Sequence, residues 1–399
     1  MRVSSSVRPL FLVTVVICAV LAGGAARIVQ DQCGPFTDVS PGFCPYILEL
    51  YYLGVTAGTS ATTFSPDDPL TRGQGSVFVA KGLNQALARS SRRAALGQWW
   101  QPRYFLWNEG LAVTPLPDVV LGPVLSDGAD VWVGGSTSVF RVRASDAKLL
   151  DTWTIASPAG AMLSAMGRIF VAGGSFVPES GVLYMIDPSA PPGAATEVAT
   201  LPSFVMGIAF DGSRIWTAND VSVSIITPSA TLPWPVTTVT TGIQFPSGAA
   251  FDGQNIWLTD TGACALFKLD GSGAIAQTVG LGTAPCPLYA PVFDGSNILV
   301  PAGDSLRVVH ANDGTLAATI PIPTGAALVS FGGERILVES FAGGQNAPRG
   351  LTLLRAADFA VLQSEGFPGI GGPEVGGIAS DGVNFWVTFR QTDWVLGRY

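Results

Sequence analysis

A ten-residue sequence motif recurs seven times along this chain, and it constrains the fold more than any other feature of the sequence. Its clearest copy is "FDGQNIWLTD" at residues 251–260. Close copies begin at Asp127, Asp211, Asp294 and Asp381, and looser ones begin at Met166 and Gly332. The glycines at 128, 167, 212, 253, 295, 333 and 382 mark the copies at intervals of 39, 45, 41, 42, 38 and 49 residues. A period near 40 predicts a repeat architecture in which each copy forms one small structural unit.

The residues of one repeat predict what this unit is. The segments "PSGAAF", "QNIWLT", "ALFKL" and "AIAQTV", between residues 246 and 279, are short and apolar and are separated by turn residues, which predicts four strands. The dipeptide "DG" between the first two predicts a two-residue hairpin with positive φ at both positions. Seven four-stranded units are typical of a seven-bladed β-propeller, so the predicted fold class is mainly β. We assign the propeller to residues 98–399, with 98–110 as an aromatic connector.

Consecutive apolar residues in the repeats fit this fold. Both faces of a propeller blade pack on neighbouring blades, so Ile256 and Trp257 can both be buried although they point to opposite faces. The same pairs recur at 131–132, 215–216 and 385–386. We predict that these tryptophans fill the space between blades; the alternative is an aromatic platform for a ligand.

The last repeat predicts how the ring closes. It holds only about two strands before Tyr399, and an incomplete blade would leave an open sheet edge. The segment "AVTPLPDVV" at 112–120 precedes the first repeat. We predict that it supplies the missing outer strand of the last blade.

The first 26 residues have the pattern of a secretory signal peptide. Arg2 and Arg8 are followed by an apolar run at 10–22 and by the small residues Gly24-Ala25-Ala26. The apolar run has 13 residues, short of the ~20 that a spanning helix needs, which leaves an uncleaved anchor as the alternative. No later segment has a transmembrane pattern, so the mature chain is predicted to be exported without a membrane span.

Charge and cysteine content limit the partners and the compartment. Without Arg2 and Arg8 the net charge changes from −8 to −10, which argues against nucleic acid as a partner. Signal removal also takes away Cys18 and leaves Cys33, Cys44, Cys264 and Cys286. An even number in an exported chain predicts disulfides, and the spacing favours Cys33–Cys44 and Cys264–Cys286. The first pair would brace a small N-terminal core, and the second would join two loops on one propeller face.

Residues 27–97 carry four short motifs ahead of the propeller. They are "FTDV" (Phe36, Asp38 and Val39), "LGVTAG" (Gly54, Val55 and Gly58), "FSP" (Phe64 and Pro66) and "LTRGQ" (Thr71 and Arg72). Apolar spacing predicts a short helix near Ile47 and a second helix after Thr71, whose hydroxyl would cap it. In order and spacing the motifs resemble the S-layer homology (SLH) module over about residues 36–90. We therefore predict a small α-helical SLH-like module before the propeller.

The resemblance implies a location and a partner. SLH modules attach proteins to a cell-wall polysaccharide, or a polymer linked to peptidoglycan, in the bacterial envelope. Thr71 and Arg72 match the ligand-contacting turn of the family, and Asp38 of the opening motif completes the candidate binding set. The guanidinium of Arg72 suits the carboxylate of an acidic sugar; the alternative is a salt bridge within the module. Gln74 replaces the usual Glu, Cys44 falls where an aromatic is common, and one module is present where strong anchors carry three.

Residues of the common catalytic motifs are scarce. His310 is the only histidine, and no G-x-S-x-G, H-E-x-x-H, C-x-x-C or Walker motif is present. The repeats resemble NHL and quinoprotein-like propellers over about 115–399, a resemblance that concerns architecture alone. Lyases of the streptogramin type rely on histidine near the propeller axis, and a single histidine does not supply such a set.

Acidic residues remain as candidates for a propeller site. Three carboxylates follow second strands, and a Tyr and a Glu lie in blade-to-blade loops: Asp220, Asp260, Glu339, Tyr289 and Glu374. We place the first three at equivalent repeat positions, on the face that carries Cys264. Such an acidic rim would suit calcium, a basic ligand or a sugar; the alternative is a solvated loop rim. No cofactor other than calcium is predicted.

Three hypotheses remain. The leading one is a secreted, non-enzymatic envelope protein whose SLH-like module contacts the wall and whose propeller presents a binding or scaffold face to an unidentified ligand. The rival is an exported propeller enzyme, a lyase or hydrolase, that uses carboxylates and a bound metal. The third is a structural protein in which the module caps the ring.

Overall fold

The fold was analysed in a computed structural model that describes residues 35–40, 43, 47, 50, 51, 55–88, 112–118, 122–176, 179–341, 349–366, 374–390 and 393–399. The chain divides into two compact units, Met1–Ala86 and Leu87–Tyr399. The predicted signal peptide at 1–26, the connector at 98–110 and the boundary between residues 97 and 98 lie outside the described residues. They stay predictions.

The first unit is built around a small aromatic core. Phe36 is almost fully buried and packs with Val39 and Ile47, while Tyr51 and Phe64 make edge contacts with its ring. Ile47, Leu50 and Tyr51 are helical, as predicted. Cys33 and Cys44 lie outside the described residues, so their pairing stays a prediction.

A second helix, α1, spans Arg72–Ala88. Two of its apolar residues face solvent, since Val77 is 53% exposed and Val79 is 71% exposed. The capping residues described below fix its first turn.

The described part of the second unit folds into seven four-stranded antiparallel sheets, as predicted for a seven-bladed propeller. Blades 1 to 3 contain β2 (Val124–Ser126), β3 (Asp130–Gly134), β4 (Ser138–Arg143), β5 (Leu149–Thr154), β6 (Ala159–Ala165), β7 (Arg168–Phe176), β8 (Glu179–Ile186), β9 (Thr196–Leu201), β10 (Val205–Phe210), β11 (Ile215–Asn219), β12 (Ser222–Ile226) and β13 (Val236–Val239).

Blades 4 to 6 continue the same order from the innermost strand to the outermost. They contain β14 (Pro246–Phe251), β15 (Ile256–Asp260), β16 (Ala265–Leu269), β17 (Ile275–Gly280), β18 (Val292–Phe293), β19 (Asn297–Pro301), β20 (Gly303–His310), β21 (Leu316–Ala326), β22 (Leu328–Phe331), β23 (Arg335–Phe341), β24 (Arg349–Arg355) and β25 (Val361–Gly366).

The seventh blade joins both ends of the propeller sequence. It contains β26 (Glu374–Ser380), β27 (Phe385–Arg390) and β28 (Trp394–Arg398), with β1 (Ala112–Pro115) as its outermost strand. β1 runs antiparallel to β28, with Ala112 opposite Arg398 and Pro115 opposite Val395. The pairing continues one residue further, where the Leu116 amide donates to the Trp394 carbonyl oxygen at 2.9 Å. Ring closure by the segment at 112–120 is thereby confirmed.

The repeated tryptophans are wedged between blades, as predicted. Trp257 is fully buried and packs on Ile298 and Val300 of the next blade, and Trp132, Trp216 and Trp386 are equally buried. The Trp257 indole Nε1 donates to Asp252 Oδ2 at 2.7 Å, and the Lys268 ammonium lies 5.0 Å from the ring centroid. Asp252, five residues before Trp257, thus links the hairpin turn to the buried tryptophan. The sequence did not predict this role.

The repeated turn itself differs from the prediction. Asp252 to Asn255 form a four-residue loop, closed by a 3.2 Å bond from the Asp252 amide to the Asn255 carbonyl oxygen. Asp252 Oδ1 accepts from the amides of Gln254 and Asn255 at 2.7 and 2.6 Å. Only Gly253 needs positive φ, at 97°. The two-residue turn was wrong because the aspartate side chain, not a second left-handed residue, reverses the chain.

These turn aspartates predict an acid-sensitive propeller. Burial alone would raise the pKa of Asp252, but hydrogen bonds from the Trp257 indole and the Asn255 amide outweigh it, so the pKa lies below the ordinary 3.8. The stabilisation is present above that unfolded value and is lost as pH falls below it. We expect Asp252→Asn to narrow the difference in melting temperature between pH 7 and pH 3, measured by circular dichroism. Asp294→Asn is the control, since that turn has no indole partner; equal narrowing in both variants would contradict this.

Innermost strands approach one another through glycines. A Cβ added at Gly207 would lie 2.5 Å from the Gly248 Cα, and one added at Gly248 would lie 2.3 Å from the Ala290 Cα. One added at Gly377, in the last blade, would lie 2.7 Å from the Gly122 carbonyl oxygen, at the start of the first. Backbone against backbone contact around the axis therefore sets the diameter of the ring.

Candidate functional site

The turn that begins helix α1 is a capping box. The Gln74 amide donates to Thr71 Oγ1 at 3.2 Å, and Gln74 Oε1 accepts from both the amide and the hydroxyl of Thr71 at 2.9 Å. This confirms Thr71 as the N-cap, and it shows that Gln74 does the work of the Glu it replaces. Arg72 is therefore held at the first position of the helix with an exposed side chain. Within the described part of the chain no ion pair involves Arg72, so the salt-bridge alternative draws no support there.

Asp38 orders the loop that leads to this turn. Its carboxylate accepts from the Phe64 amide at 2.9 Å and from the Ser65 amide at 2.7 Å. These two hydrogen bonds hold the pKa of Asp38 below its ordinary value, so the group is charged at neutral pH. Both oxygens accept hydrogen bonds within the module, which gives Asp38 the role of fixing the loop at Phe64 and Ser65.

On the propeller, the predicted disulfide Cys264–Cys286 is present. The two Cα atoms are 5.1 Å apart. The Cys286 amide donates to the Thr261 carbonyl oxygen, and the Leu281 amide donates to the Cys264 carbonyl oxygen. The bridge fixes the blade-to-blade loop that runs from β17 to Leu288 and Tyr289.

Asp260 is a buried structural residue and does not lie on an open rim. It is 0% exposed, and its carboxylate accepts from the amides of Gln244 at 2.8 Å, Phe245 at 3.2 Å and Ala263 at 2.9 Å. It fastens the loop before β14 to the loop after β15. Neither an acidic rim for a ligand nor a solvated loop rim fits this residue, because its carboxylate is buried and satisfied by three backbone amides.

The other acidic candidates do not occupy equivalent positions. Asp260 lies opposite Pro246, the first residue of β14. The equivalent position in blade 3, opposite Val205 at the start of β10, is occupied by Asn219 and not by Asp220. Glu339 lies three residues after Ile336, whereas Asp260 lies four after Ile256, so their side chains leave opposite faces of the blades. The placement at equivalent repeat positions was therefore wrong, because the three acids lie five, four and three residues after the isoleucine of each second strand.

The remaining candidates spread over the same end of the ring. The Asp220 amide donates to Ser203 Oγ at 3.1 Å, and Glu339 is only 3% exposed. Burial, with a smaller contribution from the charge of Glu339, raises the pKa of Tyr289. Glu374 begins β26 opposite Arg390, and its side chain lies outside the described part. Among the described residues no three His, Cys, Asp or Glu side chains gather to hold a metal ion.

The innermost strands enclose a central cavity of about 710 Å³. All seven blades contribute to its wall, and the described lining residues include no charged side chain. Among the rim candidates whose side chains are described, Tyr289 alone lines it. Beside Tyr289 lie Phe204 and Phe245, which each precede the first residue of an innermost strand.

Sequence reasoning missed these two phenylalanines. They occur at the same phase in "FVMGIAFDG" and "FPSGAAFDG", with the glycine three residues later at the close contact around the axis. The repeated Phe and Gly are visible in the sequence, but a search restricted to ionisable residues does not detect them. His310, in contrast, is exposed and its Nδ1 lies 2.8 Å from Asn297 Oδ1, away from the cavity lining.

Comparison with known proteins agrees with this two-part organisation. Residues 35–74 match the S-layer homology domain. Over that region the chain is similar to an endoglucanase of Bacillus sp. (strain KSM-635), with 35% identity over 86 residues. The alignment covers 21% of this chain and 9% of the endoglucanase, so the chain spans a small fraction of that relative. None of the helices in the described residues has the length and apolar character needed to cross a membrane.

Solved structures show the propeller fold. The WD40 β-propeller domain of Doa1 superposes with a TM-score of 0.57 at 11% identity, over 73% of this chain and 96% of that one. Streptogramin B lyase superposes with a TM-score of 0.56 at 13% identity, over 72% and 97%. The Neurospora crassa Pan2 WD40 domain gives 0.53 at 13% identity, over 72% and 94%. At such identities the likeness concerns the fold alone, and the NHL and quinoprotein-like resemblance stays a prediction.

Proposed function

We propose that this chain, an S-layer homology domain followed by a seven-bladed propeller, is a non-enzymatic protein of the bacterial cell envelope. The domain match associates it with the bacterial cell surface. In the proposal the domain contacts a wall polysaccharide, and the propeller serves as a binding face. Export through the signal peptide at 1–26 is part of the same proposal.

The exposed Arg72 at the capped start of α1 is the observation that carries this proposal. Thr71 and Gln74 fix the first turn of the helix, and Asp38 fixes the loop before it, so the guanidinium projects from a rigid base. A guanidinium offers paired donors to a carboxylate, which an acidic wall sugar supplies. The positive end of the helix dipole lies at the same turn and also favours a negatively charged ligand.

Retention on purified cell-wall sacculi tests the proposal. We expect the full chain to sediment with sacculi and the Arg72→Ala variant to bind at least ~10-fold more weakly, as the loss of a charge-assisted bond implies. Lys81→Ala is the matched control, since Lys81 is an exposed cation on the same helix. Retention should also weaken with salt, because the contact is exposed.

The amount bound is quantified in the supernatant and pellet at several protein concentrations. Arg72→Lys should recover part of the affinity, since it restores the charge without the paired donors. If the full chain does not bind sacculi, or if Lys81→Ala loses as much as Arg72→Ala, wall attachment through this turn is refuted.

The alternative of a metal-dependent propeller enzyme rests on weaker ground. Its central carboxylate, Asp260, is buried and satisfied by three backbone amides. Stripping divalent cations with a chelator should leave the melting temperature unchanged under our proposal. A chelator-induced loss of several degrees, restored by calcium, would favour the alternative.

A further inference from the structure

We propose that the central cavity of the propeller binds one uncharged, mainly apolar small molecule. The proposal deepens the function given above, and it rests on the propeller being a binding face. The cavity volume of about 710 Å³ falls within the ~300–1,000 Å³ of small-molecule sites.

The side chains of the cavity wall are mainly apolar. Alternate residues of β10 turn toward it, and Met206 and Ile208 from that strand are joined by Met162 of β6 and Leu328 of β22. No described lining residue is charged, so an ionic ligand would lose its hydration with no counter-charge to meet it. Methionine side chains adapt to ligands of irregular outline at little cost.

The few hydroxyls in the wall are already engaged. The Ser247 hydroxyl donates to Thr259 Oγ1 at 3.0 Å, and the Thr261 hydroxyl donates to the Leu288 carbonyl oxygen at 3.2 Å. Tyr289 supplies the remaining hydroxyl of the described lining, and a tyrosine hydroxyl is neutral at physiological pH. A sugar, which carries several hydroxyls, would find few side-chain partners among the described lining residues. A ligand with one or two polar groups needs no more hydrogen-bond partners than these side chains offer.

A water molecule makes two to four hydrogen bonds, and the mainly apolar side chains of this wall supply few of them. Displacing weakly held water by an apolar group gains affinity. The cavity therefore favours a ligand whose apolar surface replaces that water.

Aromatic residues from three successive blades line the cavity. Phe204 lies against Gly160, where an added Cβ would come 3.0 Å from the end of the ring, and Phe245 is 41% exposed. On the third side Tyr289 follows Cys286, whose bridge to Cys264 fixes the loop. Three aromatic rings from consecutive blades thus border the cavity on a frame that is already in place.

A matched pair of fluorescent probes tests the inference on the full chain. N-phenyl-naphthylamine is neutral, and anilino-naphthalenesulfonate has the same rings with one negative charge. We expect saturable binding of the neutral probe, one per chain, with a dissociation constant on the order of 10 µM. The anionic probe should bind at least ~10-fold more weakly, because its charge would be buried without a partner.

Variants locate the probe. Met206→Asp puts a charge in the cavity wall and should weaken the neutral probe at least ~10-fold. Met166→Asp is the control: Met166 is 48% exposed in a hairpin outside the cavity, and its replacement should change nothing. If Met206→Asp does not fold, Phe245→Ala at the exposed entrance replaces it, with a several-fold loss expected from the missing ring.

Three results would overturn the inference: no saturable binding of the neutral probe, equal binding of the anionic probe, or loss equal in the Met206 and Met166 variants. Sacculus retention of Met206→Asp should match that of the unaltered chain. Loss of wall binding in Arg72→Ala with intact probe binding separates this site from the proposed attachment.

Discussion

Replacing Gly248 with alanine is expected to destabilise the propeller by about 3 kcal/mol or more, the upper range for overpacking. The new Cβ would lie 2.3 Å from the Ala290 Cα and 2.8 Å from Pro291 Cδ. Both belong to the chain entering the next blade, so the obstacle is backbone and cannot rotate away. The blades would have to move apart at the axis, where each innermost strand is already in contact with its neighbour.

Thermal melting followed by circular dichroism measures this effect, with an expected drop of roughly 6–12 °C for ~3 kcal/mol in a domain of this size. Gly280→Ala is the control from the same blade, since no atom lies within 4 Å of the added Cβ. That variant should stay within about 0.5 kcal/mol of the original, as surface substitutions do. Similar melting of the two variants would mean that close contact at the axis does not limit the ring.

Thr114→Pro is expected to have an effect of similar size, because it opens the blade that closes the ring. Thr114 is 4% exposed, lies opposite Leu396 in the β1–β28 ladder, and donates its hydroxyl to the Ala147 carbonyl oxygen. Proline has no amide hydrogen to donate and is tolerated only where the amide faces away from the partner strand. We expect a loss of about 3 kcal/mol or more, from the broken ladder and the buried hydroxyl together.

Light scattering and melting temperature check this prediction. A free β28 edge would promote pairing between molecules, so aggregation should accompany the loss of stability. Val113→Pro is the control: Leu116 donates to Trp394, so amides alternate along β1 and that of residue 113 points away from β28. The natural Pro115 has the same phase. Equal aggregation of the two variants would show that β1 does not close the ring.

The fold could be predicted from sequence because its signals are local. A glycine-containing turn, two apolar residues and a second turn recur at each blade, and Trp257 must be buried in any arrangement that stacks such units. Closure by β1 followed from counting strands. The geometry of the turn was harder to predict, since Asp252 reaches three partners, two of them amides and one an indole, through side-chain bonds that spacing does not reveal.

The site could be predicted only in part, for a physical reason. A carboxylate at the end of a strand can face solvent or cap backbone amides, and the choice depends on a loop from elsewhere in the blade. For Asp260 that loop, at Gln244 and Phe245, folds back and supplies the donors. In the N-terminal domain the relevant residues are neighbours in sequence, so Thr71 as a cap was predictable. The cavity depends on the diameter of the ring, which no single repeat encodes.

The pairing of β1 with β28 also constrains the order in which the nascent chain can fold. Pro115 and Val395 lie about 280 residues apart, so the ribosome must finish nearly the whole propeller before these two strands can meet. The six blades made earlier can assemble as they emerge, but β1 waits unpaired until the final residues arrive. A prematurely terminated chain would leave β1 unpaired, and its exposed edge would be recognised by proteases and chaperones.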